Sequence, residues 1–339
     1  MTVLHGLGLL VAGLFAFLAT VFGAAALATL IIALRIGAQF PPQGPFVTVE
    51  GGRLATIEAG PNPSKRGTVV LLHGASANAS DPMEGVGRKL AAEGFRVMAF
   101  DRPGFGWSDR LGGSEMAHPA AQARAIAQAL GALGTGPAIV LGHSWAGALA
   151  TAIALDHPEA VSGLVLVSPV ALPFPQRPTL PWYWDLALKP PLLWFLTRTI
   201  AAPLGLYYLP RIGGTVFRPQ DSPADYIETS RAALVLRPGT MRANIQDLVA
   251  LPDALAAQSP RYGTIAAPTV IVAGDADPVV RTEQQAKPLA KVIPAARLVV
   301  LPGIGHMVQI VAAEALAVEV AALADRIAQR SRSAMPAGR

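Results

Sequence analysis

The chain has 339 residues, enough for one large domain with an insertion or a terminal appendage. Its apolar fraction is 52% and its charged fraction 14%, against typical values of roughly 45–50% and about 25%, which indicates contact with a membrane. The net charge of +5 comes without a basic run interleaved with aromatic residues, so the sequence argues against nucleic-acid binding and favours anionic lipid as a partner. The absence of cysteine excludes a disulfide framework, a thiolate nucleophile and Cys-ligated metals.

The first hydrophobic segment, Gly6–Leu34, has 29 residues and no charged side chain. As a helix it would be about 43 Å long, more than the roughly 30 Å hydrocarbon core. We therefore predict a single-pass membrane anchor over residues 1–36. A cleaved signal peptide is the alternative, since Ala26-Leu27-Ala28 offers a small-x-small site, but the run is too long and no Lys or Arg precedes it. Arg35 after the span weakly favours a cytoplasmic location for the rest of the chain, and the proline-rich residues 37–45 form a predicted linker.

From Phe46 onwards, short β-rich runs alternate with Ala-rich helical runs. The predicted strands are Phe46–Val49, Leu54–Glu58, Thr68–Leu72, Phe95–Phe100, Ala138–Leu141, Val161–Val167, Thr269–Val272 and Arg297–Leu301. The predicted helices are Glu84–Glu93, Pro119–Leu133, Trp145–Leu155, Thr282–Val292 and about Val311–Gln329. The first two strands flank Gly51-Gly52 and form a hairpin. The alternation predicts an α/β fold with a doubly wound, mostly parallel sheet built from residues 46–168 and 268–330. The polar tail, residues 331–339, is predicted to be disordered.

The alternation stops over residues 169–267, where prolines recur among aromatic residues. Because a structureless loop of this length is uncommon in a compact domain, we predict a mainly helical lid inserted after a strand. The aromatic side chains include Trp182, Tyr183, Trp184, Trp194, Phe195, Tyr207 and Tyr208. They could form the core of the lid, line a pocket or contact the bilayer interface.

A serine lies in Gly142-His143-Ser144-Trp145-Ala146-Gly147, where a predicted strand meets a predicted helix. Small residues on both sides of a serine allow a sharp strand-to-helix turn that exposes the hydroxyl. Ala146 stands where G-x-S-x-G has its second glycine, so the match is incomplete. The alternative role for Ser144 is an N-cap of the helix that follows.

A serine hydroxyl becomes nucleophilic only when a base takes its proton and an acid holds the base. Asp275 and Asp277 follow a predicted strand, and His306 follows the next one. The order Ser, Asp, His at the carboxyl ends of strands is the one that this sheet topology requires. The sequence thus supplies a nucleophile, a base and a choice of two acids.

Several motifs together resemble the α/β-hydrolase fold superfamily, over about Phe46 to Gln329. His73-Gly74-Ala75 resembles its oxyanion loop, and the segment Asp101–Ser108 resembles its D-x-P-G-x-G-x-S turn. The resemblance implies that Ser144 is the nucleophile, His306 the base and Asp277 the acid. It also implies an oxyanion hole formed by the backbone N–H groups of Ala75 and Trp145. Asp275 is the alternative acid, with a turn role otherwise.

Other polar residues of these motifs have expected structural roles. We predict that His143 is structural, that His73 fixes its loop and that His118 precedes a helix. Asp101 and Arg102 are expected to anchor their turn. Ser76 and Asn78 are weak candidates for substrate contact. These further candidates carry no catalytic assignment.

The expected activity is therefore that of a membrane-anchored serine hydrolase acting on an ester of an apolar small molecule or lipid, without metal or organic cofactor. The same triad could serve an amidase or peptidase, a C–C bond hydrolase or an acyltransferase, because fold does not determine substrate. A non-catalytic membrane-bound accessory protein is the alternative from another class.

Overall fold

The computed structural model describes residues 2–175 and 186–334. Its centre is an eight-stranded sheet in the order β1-β2-β4-β3-β5-β6-β7-β8. The strands are β1 (Phe46–Val49), β2 (Gly52–Ala59), β3 (Thr68–Leu72), β4 (Arg96–Phe100), β5 (Ala138–His143), β6 (Val161–Val167), β7 (Thr269–Gly274) and β8 (Arg297–Leu301). Pairs β1–β2 and β2–β4 are antiparallel, and all other pairs are parallel. The mostly parallel α/β sheet expected from the sequence is confirmed.

The described residues include eleven α-helices of four or more residues, some of which cover the two faces of this sheet. They are α1 (Thr2–Gln39), α2 (Arg88–Ala92), α3 (Pro119–Ala132), α4 (Ala146–Asp156), α5 (Pro190–Arg198), α6 (Ala201–Val216), α7 (Tyr226–Thr229), α8 (Pro238–Gln258), α9 (Ala286–Val292), α10 (Val308–Val311) and α11 (Ala313–Ala334). Apolar side chains of α3, α4 and α9 pack on one face, and those of α2 and α11 pack on the other. The central strands are buried on both sides, which explains their continuous apolar sequences.

Three helices differ from the sequence prediction, and one of them, expected over Thr282–Val292, begins only at Ala286. In place of Glu84–Glu93, a helical turn at Ser80–Pro82 and a π-helical segment at Met83–Gly87 precede α2. Gly85 has a non-helical ψ of −106°, and a Cβ there would collide with the carbonyl group of Gln309 in α10. The close approach of the two backbones therefore requires glycine and breaks the helix. The final helix continues to Ala334, into the segment expected to be a disordered tail, and residues 335–339 lie outside the described residues.

Helix α1 extends through Gln39 and so includes part of the expected linker. By length and composition it is a candidate membrane span, Leu4–Gln39, on a criterion that a signal sequence also meets. The segment between β6 and β7 contains helices α5 to α8, as a helical insertion requires. Trp182, Tyr183 and Trp184 lie outside the described residues.

A buried ion pair joins this insertion to the sheet domain. Arg102, after β4, donates from Nη1 to Asp247 Oδ2 of α8 at 2.7 Å, and both side chains are fully buried. Gln122 Nε2 also donates to Asp247 Oδ2, and Arg110 Nη2 donates to Oδ1 at 2.8 Å. The guanidinium of Arg102 lies over the ring of Trp145 at 4.0 Å. Burial lowers the pKa of Arg102 to about 10 while Asp247 opposes that shift, so the guanidinium is charged at neutral pH.

Replacing one partner of this pair should destabilise the whole chain. We expect Asp247→Ala to lower the free energy of unfolding by about 3–5 kcal/mol, because two arginines lose a buried counter-charge. Denaturant unfolding in detergent micelles measures it. The matched control is Asp325→Ala, since Asp325 pairs with Arg66 at 3.8 Å on the surface and should cost less than about 1 kcal/mol. Equal losses for the two variants would contradict a special role for the buried pair.

Candidate active site

Ser144 occupies a strained turn between β5 and α4. Its φ of +54° lies in the left-handed region that non-glycine residues rarely adopt. A Cβ at Gly142 would overlap the carbonyl group of Ala146, and a Cβ at Gly147 would lie 2.7 Å from that of Pro169. The two close approaches thus fall at positions 142 and 147. This explains why Ala146 is tolerated where the expected motif has glycine.

His306 and Asp277 form a buried hydrogen-bonded pair. His306 Nδ1 lies 2.8 Å from Asp277 Oδ2, and the other carboxylate oxygen accepts the N–H groups of Val279 and Val280, each at 2.8 Å. Asp275 is exposed and instead accepts the N–H of Gly303. Of the two acids that the sequence offers, only Asp277 contacts the histidine. Its carboxylate fixes the ring of His306 with Nδ1 as the donor.

Three loops at the carboxyl edge of the sheet meet at Ser144. A Cβ placed on Gly74, after β3, would lie 3.1 Å from the Cβ of Ser144. From the other side, the rings of His143 and His306 lie 4.8 Å apart, and His143 Nε2 donates to the carbonyl oxygen of His306 at 3.1 Å. The fold therefore brings the predicted serine, histidine and aspartate to one edge, as parallel strands predict.

The Gly74–Ala75 loop is fixed from two sides. Arg102 Nη2 donates to the carbonyl oxygen of Gly74 at 3.2 Å. Asn244 of α8 accepts the N–H of Ser76 at 2.8 Å and donates to the Ser76 hydroxyl at 2.9 Å. Within residues 2–175 and 186–334, the N–H groups of Ala75 and Trp145 donate to no other protein group. Both donors are therefore free for a ligand.

The histidines expected to be structural have structural contacts. His73 accepts the backbone N–H of Arg102 at Nε2 and donates from Nδ1 to the carbonyl oxygen of Gly74. Burial lowers its pKa well below the usual value, and Arg102 adds to this effect. His118 is exposed and directly precedes α3. Asn78, a weak candidate for substrate contact, instead donates to the carbonyl groups of Ser230 and Arg231.

A chain of buried hydrogen bonds, which sequence reasoning missed, connects the insertion with His306. The hydroxyl of Tyr226 in α7 donates to Asp81 Oδ1 at 2.7 Å. Gln309 Nε2 donates to Asp81 Oδ2 at 3.0 Å and to His143 Nδ1 at 3.3 Å. His143 then donates to the carbonyl group of His306. Burial and the neighbouring His306 lower the pKa of His143 well below its usual value, so the ring is neutral and keeps this direction.

Asp81 is the shared acceptor of that chain. Burial raises the pKa of its carboxyl, and the hydrogen bonds from Tyr226 and Gln309 oppose that shift. No motif marks Asp81 or Gln309. Gln309 is a polar residue within an apolar stretch, whereas Asp81 lies in a polar stretch and has no such signal.

A large cavity lies away from Ser144, His306 and Asp277. It has a volume of about 1390 Å³ and is lined by the end of α1, the Gly104–Arg110 turn and helices α5 and α8. Ser144, His306 and Asp277 are not among its lining residues. We therefore assign the site by its side-chain geometry and not by cavity size.

Comparison with known proteins identifies the family. Residues 67–313 match the model of the α/β hydrolase fold, and the chain belongs to this family. It is a hydrolase of that fold. The structure resembles a thermophilic esterase from Thermogutta terrifontis, with a TM-score of 0.66, 23% identity, and 84% of this chain and 99% of that chain covered. A bacterial membrane phospholipase A gives a TM-score of 0.63 at 23% identity, with 96% and 98% covered.

Curated relatives include two bacterial hydrolases. The 2-hydroxymuconate semialdehyde hydrolase of Pseudomonas putida is 35% identical over 118 residues, which are 34% of this chain and only 41% of that protein. The 2-hydroxy-6-oxo-6-phenylhexa-2,4-dienoate hydrolase of Burkholderia cepacia is 29% identical over 275 residues, covering 78% of this chain and 90% of that protein. The family thus includes relatives with different substrates.

A substitution at Asp81 tests the buried series of hydrogen bonds from Tyr226 to His306. We expect Asp81→Asn to lower the free energy of unfolding by about 1–3 kcal/mol, because an amide cannot accept from both Tyr226 and Gln309 as a carboxylate does. Denaturant titration in detergent measures the loss. Asp156→Asn is the control, since Asp156 pairs with Arg261 at the surface and should change stability little. An unchanged free energy of unfolding for Asp81→Asn would show that this carboxylate does not stabilise the series of buried hydrogen bonds.

Proposed function

We propose that the protein is a serine ester hydrolase in which Ser144 is the nucleophile, His306 the general base and Asp277 the acid that orients the base. The observation that carries the proposal is the 2.8 Å contact between His306 Nδ1 and Asp277 Oδ2 beside a serine held at positive φ. An imidazole that donates from Nδ1 has Nε2 free to accept the proton of a serine hydroxyl.

The reaction has two steps. Ser144 Oγ attacks the ester carbonyl carbon while His306 Nε2 takes the hydroxyl proton. The oxyanion accepts hydrogen bonds from the N–H groups of Ala75 and Trp145. The intermediate collapses, the C–O bond breaks, and His306 returns the proton to the leaving alcohol. Water then attacks the acyl-enzyme, with its proton again taken by His306, and the acid leaves as Ser144 is regenerated.

An ester with an apolar acyl or alkyl part is the proposed substrate. The insertion over the site is rich in apolar and aromatic residues, and the similar structures include an esterase and a membrane phospholipase A. In this proposal the candidate span α1 is a membrane anchor, and it holds the site beside lipid. A lipid or another apolar ester would then be available locally.

Cleavage of a C–C bond is the second candidate, because the relative from Burkholderia cepacia is named for a dienoate substrate. A dienoate carries a carboxylate, which requires a cationic or N–H partner in a buried site. Arg102, behind the oxyanion loop, already donates to Asp247, Gln122 and two backbone carbonyl groups. We therefore favour the ester.

Labelling with a fluorophosphonate probe tests the nucleophile. We expect the wild-type chain to form one covalent adduct and Ser144→Ala to form none, with ester hydrolysis lowered by on the order of 10⁴-fold or more. Ser168→Ala is the matched control, because Ser168 also follows a parallel strand, β6, at positive φ but is buried. This control should label normally. Absence of an adduct on the wild type, or equal labelling of Ser144→Ala, would refute the serine mechanism and favour an accessory protein.

A panel of substrates tests which type of bond the protein cleaves. We expect p-nitrophenyl esters to be hydrolysed with kcat/KM increasing from acetyl to octanoyl, because each buried methylene contributes about 0.8 kcal/mol. The matching p-nitroanilides and 2-hydroxy-6-oxo-6-phenylhexa-2,4-dienoate should react far more slowly. Faster cleavage of the dienoate than of every ester would assign the C–C reaction, with the same Ser144→Ala variant as the blank.

A further inference from the structure

One side of α1 is covered by the helical insertion. Residues of α1 with reduced exposure recur about every three or four positions, separated by exposed residues: Phe22, Ala25, Ala26, Ala28, Thr29, Ile32, Ala33, Ile36 and Gly37. The ring of Phe22 meets that of Phe195 in α5 with centroids 5.0 Å apart. The Thr29 hydroxyl donates to the carbonyl oxygen of Thr199. The insertion therefore holds α1 along a helical face.

These contacts lie far along α1. Thr29 precedes the end of α1 at Gln39 by ten residues, or about 15 Å of helix. Residues 4–21 are exposed on every side, but a span of roughly 20 residues is needed to cross a bilayer. A span that begins at Leu4 or a few residues later must include Phe22 or end beside it. Phe195 of α5, which packs on Phe22, thus lies at the depth at which α1 would leave the hydrocarbon.

Helices α5 and α6 and the turn between them carry exposed apolar side chains. Helices α5 and α6 meet at a 70° bend. Their exposed large side chains, which we name the lipid face, are Trp194, Ile200, Leu204, Leu206, Tyr207 and Tyr208. Leu204, Tyr207 and Tyr208 are at i, i+3 and i+4 and so share one side of α6. An isolated exposed leucine is ordinary, but a continuous group of this kind marks an interaction surface.

Charge on this segment has one sign. Residues 186–220 contain Lys189, Arg198, Arg211 and Arg218 and no aspartate or glutamate. Two of the arginines stack on aromatic rings of the lipid face: Arg198 lies 4.2 Å from the ring of Trp194, and Arg211 lies 4.7 Å from that of Tyr207. Amphipathic helices with Trp, Tyr and Leu on one side and basic residues beside them bind at the interface of anionic bilayers.

We propose that α5 and α6 lie in the membrane interface beside α1, with the lipid face in the acyl region and the adjacent arginines on the phosphate groups of anionic phospholipids. This inference rests on the proposed role of α1 as a membrane span. The insertion that covers the site is then itself a membrane-binding element, and an ester substrate reaches it from the bilayer.

Single-cysteine labelling of the full chain tests the surface, because the protein has no cysteine of its own. Leu14→Cys in α1, Leu204→Cys in the lipid face and Val318→Cys in α11 replace side chains that are 57%, 54% and 64% exposed. Each variant carries a nitrobenzoxadiazole fluorophore and is reconstituted into phosphatidylcholine–phosphatidylglycerol vesicles with spin-labelled lipid as quencher. We expect strong quenching and blue-shifted emission at positions 14 and 204, and neither at 318.

The outcomes separate this inference from the one on which it rests. Quenching at 14 but not at 204 overturns the lipid face and leaves the anchor in place. No quenching at position 14 overturns both the membrane anchor and the lipid face. A second measurement is the hydrolysis of a vesicle-borne ester and of a soluble short-chain ester by Tyr207→Asp. A several-fold loss confined to the vesicle-borne ester supports the lipid face, whereas unchanged rates on both, or equal losses, contradict it.

Discussion

The ion pair between Arg102 and Asp247 connects the parts of this molecule that build the site. Removing two charged side chains from water costs several kcal/mol for each of them unless every donor and acceptor is satisfied. Here Asp247 accepts from Arg102, Arg110 and Gln122, and its backbone carbonyl accepts from the indole of Trp145. The carboxylate of Asp247 binds the β4 turn and α3, and its backbone carbonyl binds the residue after Ser144. Helix α8 therefore cannot leave without exposing unpaired charge. Through Arg102, which also donates to the carbonyl oxygen of Gly74, the insertion is fixed to the Gly74–Ala75 loop.

The sequence predicted much of the sheet because buried parallel strands have a continuous apolar pattern. Thr68–Leu72, Val161–Val167 and Arg297–Leu301 have the bounds expected for them. The positions of Asp277 and His306 follow from the same pattern, since each comes after a strand and parallel strands end at one edge. The contact between them is a fact of geometry, and it distinguishes Asp277 from Asp275, two residues away with the same side chain. Their chemical roles remain proposals.

What the sequence could not predict are contacts between residues far apart in the chain. Asp247 and Asn244 belong to a helix without any motif, and they are 145 and 168 residues from their partners Arg102 and Ser76. Asp81 and Gln309 are 228 residues apart. Each is an ordinary polar residue until the fold buries it. Gly85 illustrates the same limit locally, because the π-helical segment exists only where α10 comes close.

The insertion has two attachments of opposite physical kind. Towards the sheet it is held by charge and directed hydrogen bonds, through Asp247, Asn244 and Tyr226, which have defined geometry and little tolerance for displacement. Towards α1 it is held mainly by apolar packing at Phe22 and Ile36, with one hydrogen bond from Thr29 to Thr199, and apolar packing tolerates sliding because dispersion has no preferred direction. Movement of α1 relative to the sheet would therefore be taken up mainly at the apolar contact, while the Gly74–Ala75 loop and the Ser144 turn keep their positions. Such an arrangement would let α1, proposed as a membrane anchor, tilt without disturbing the group of residues proposed to do the chemistry.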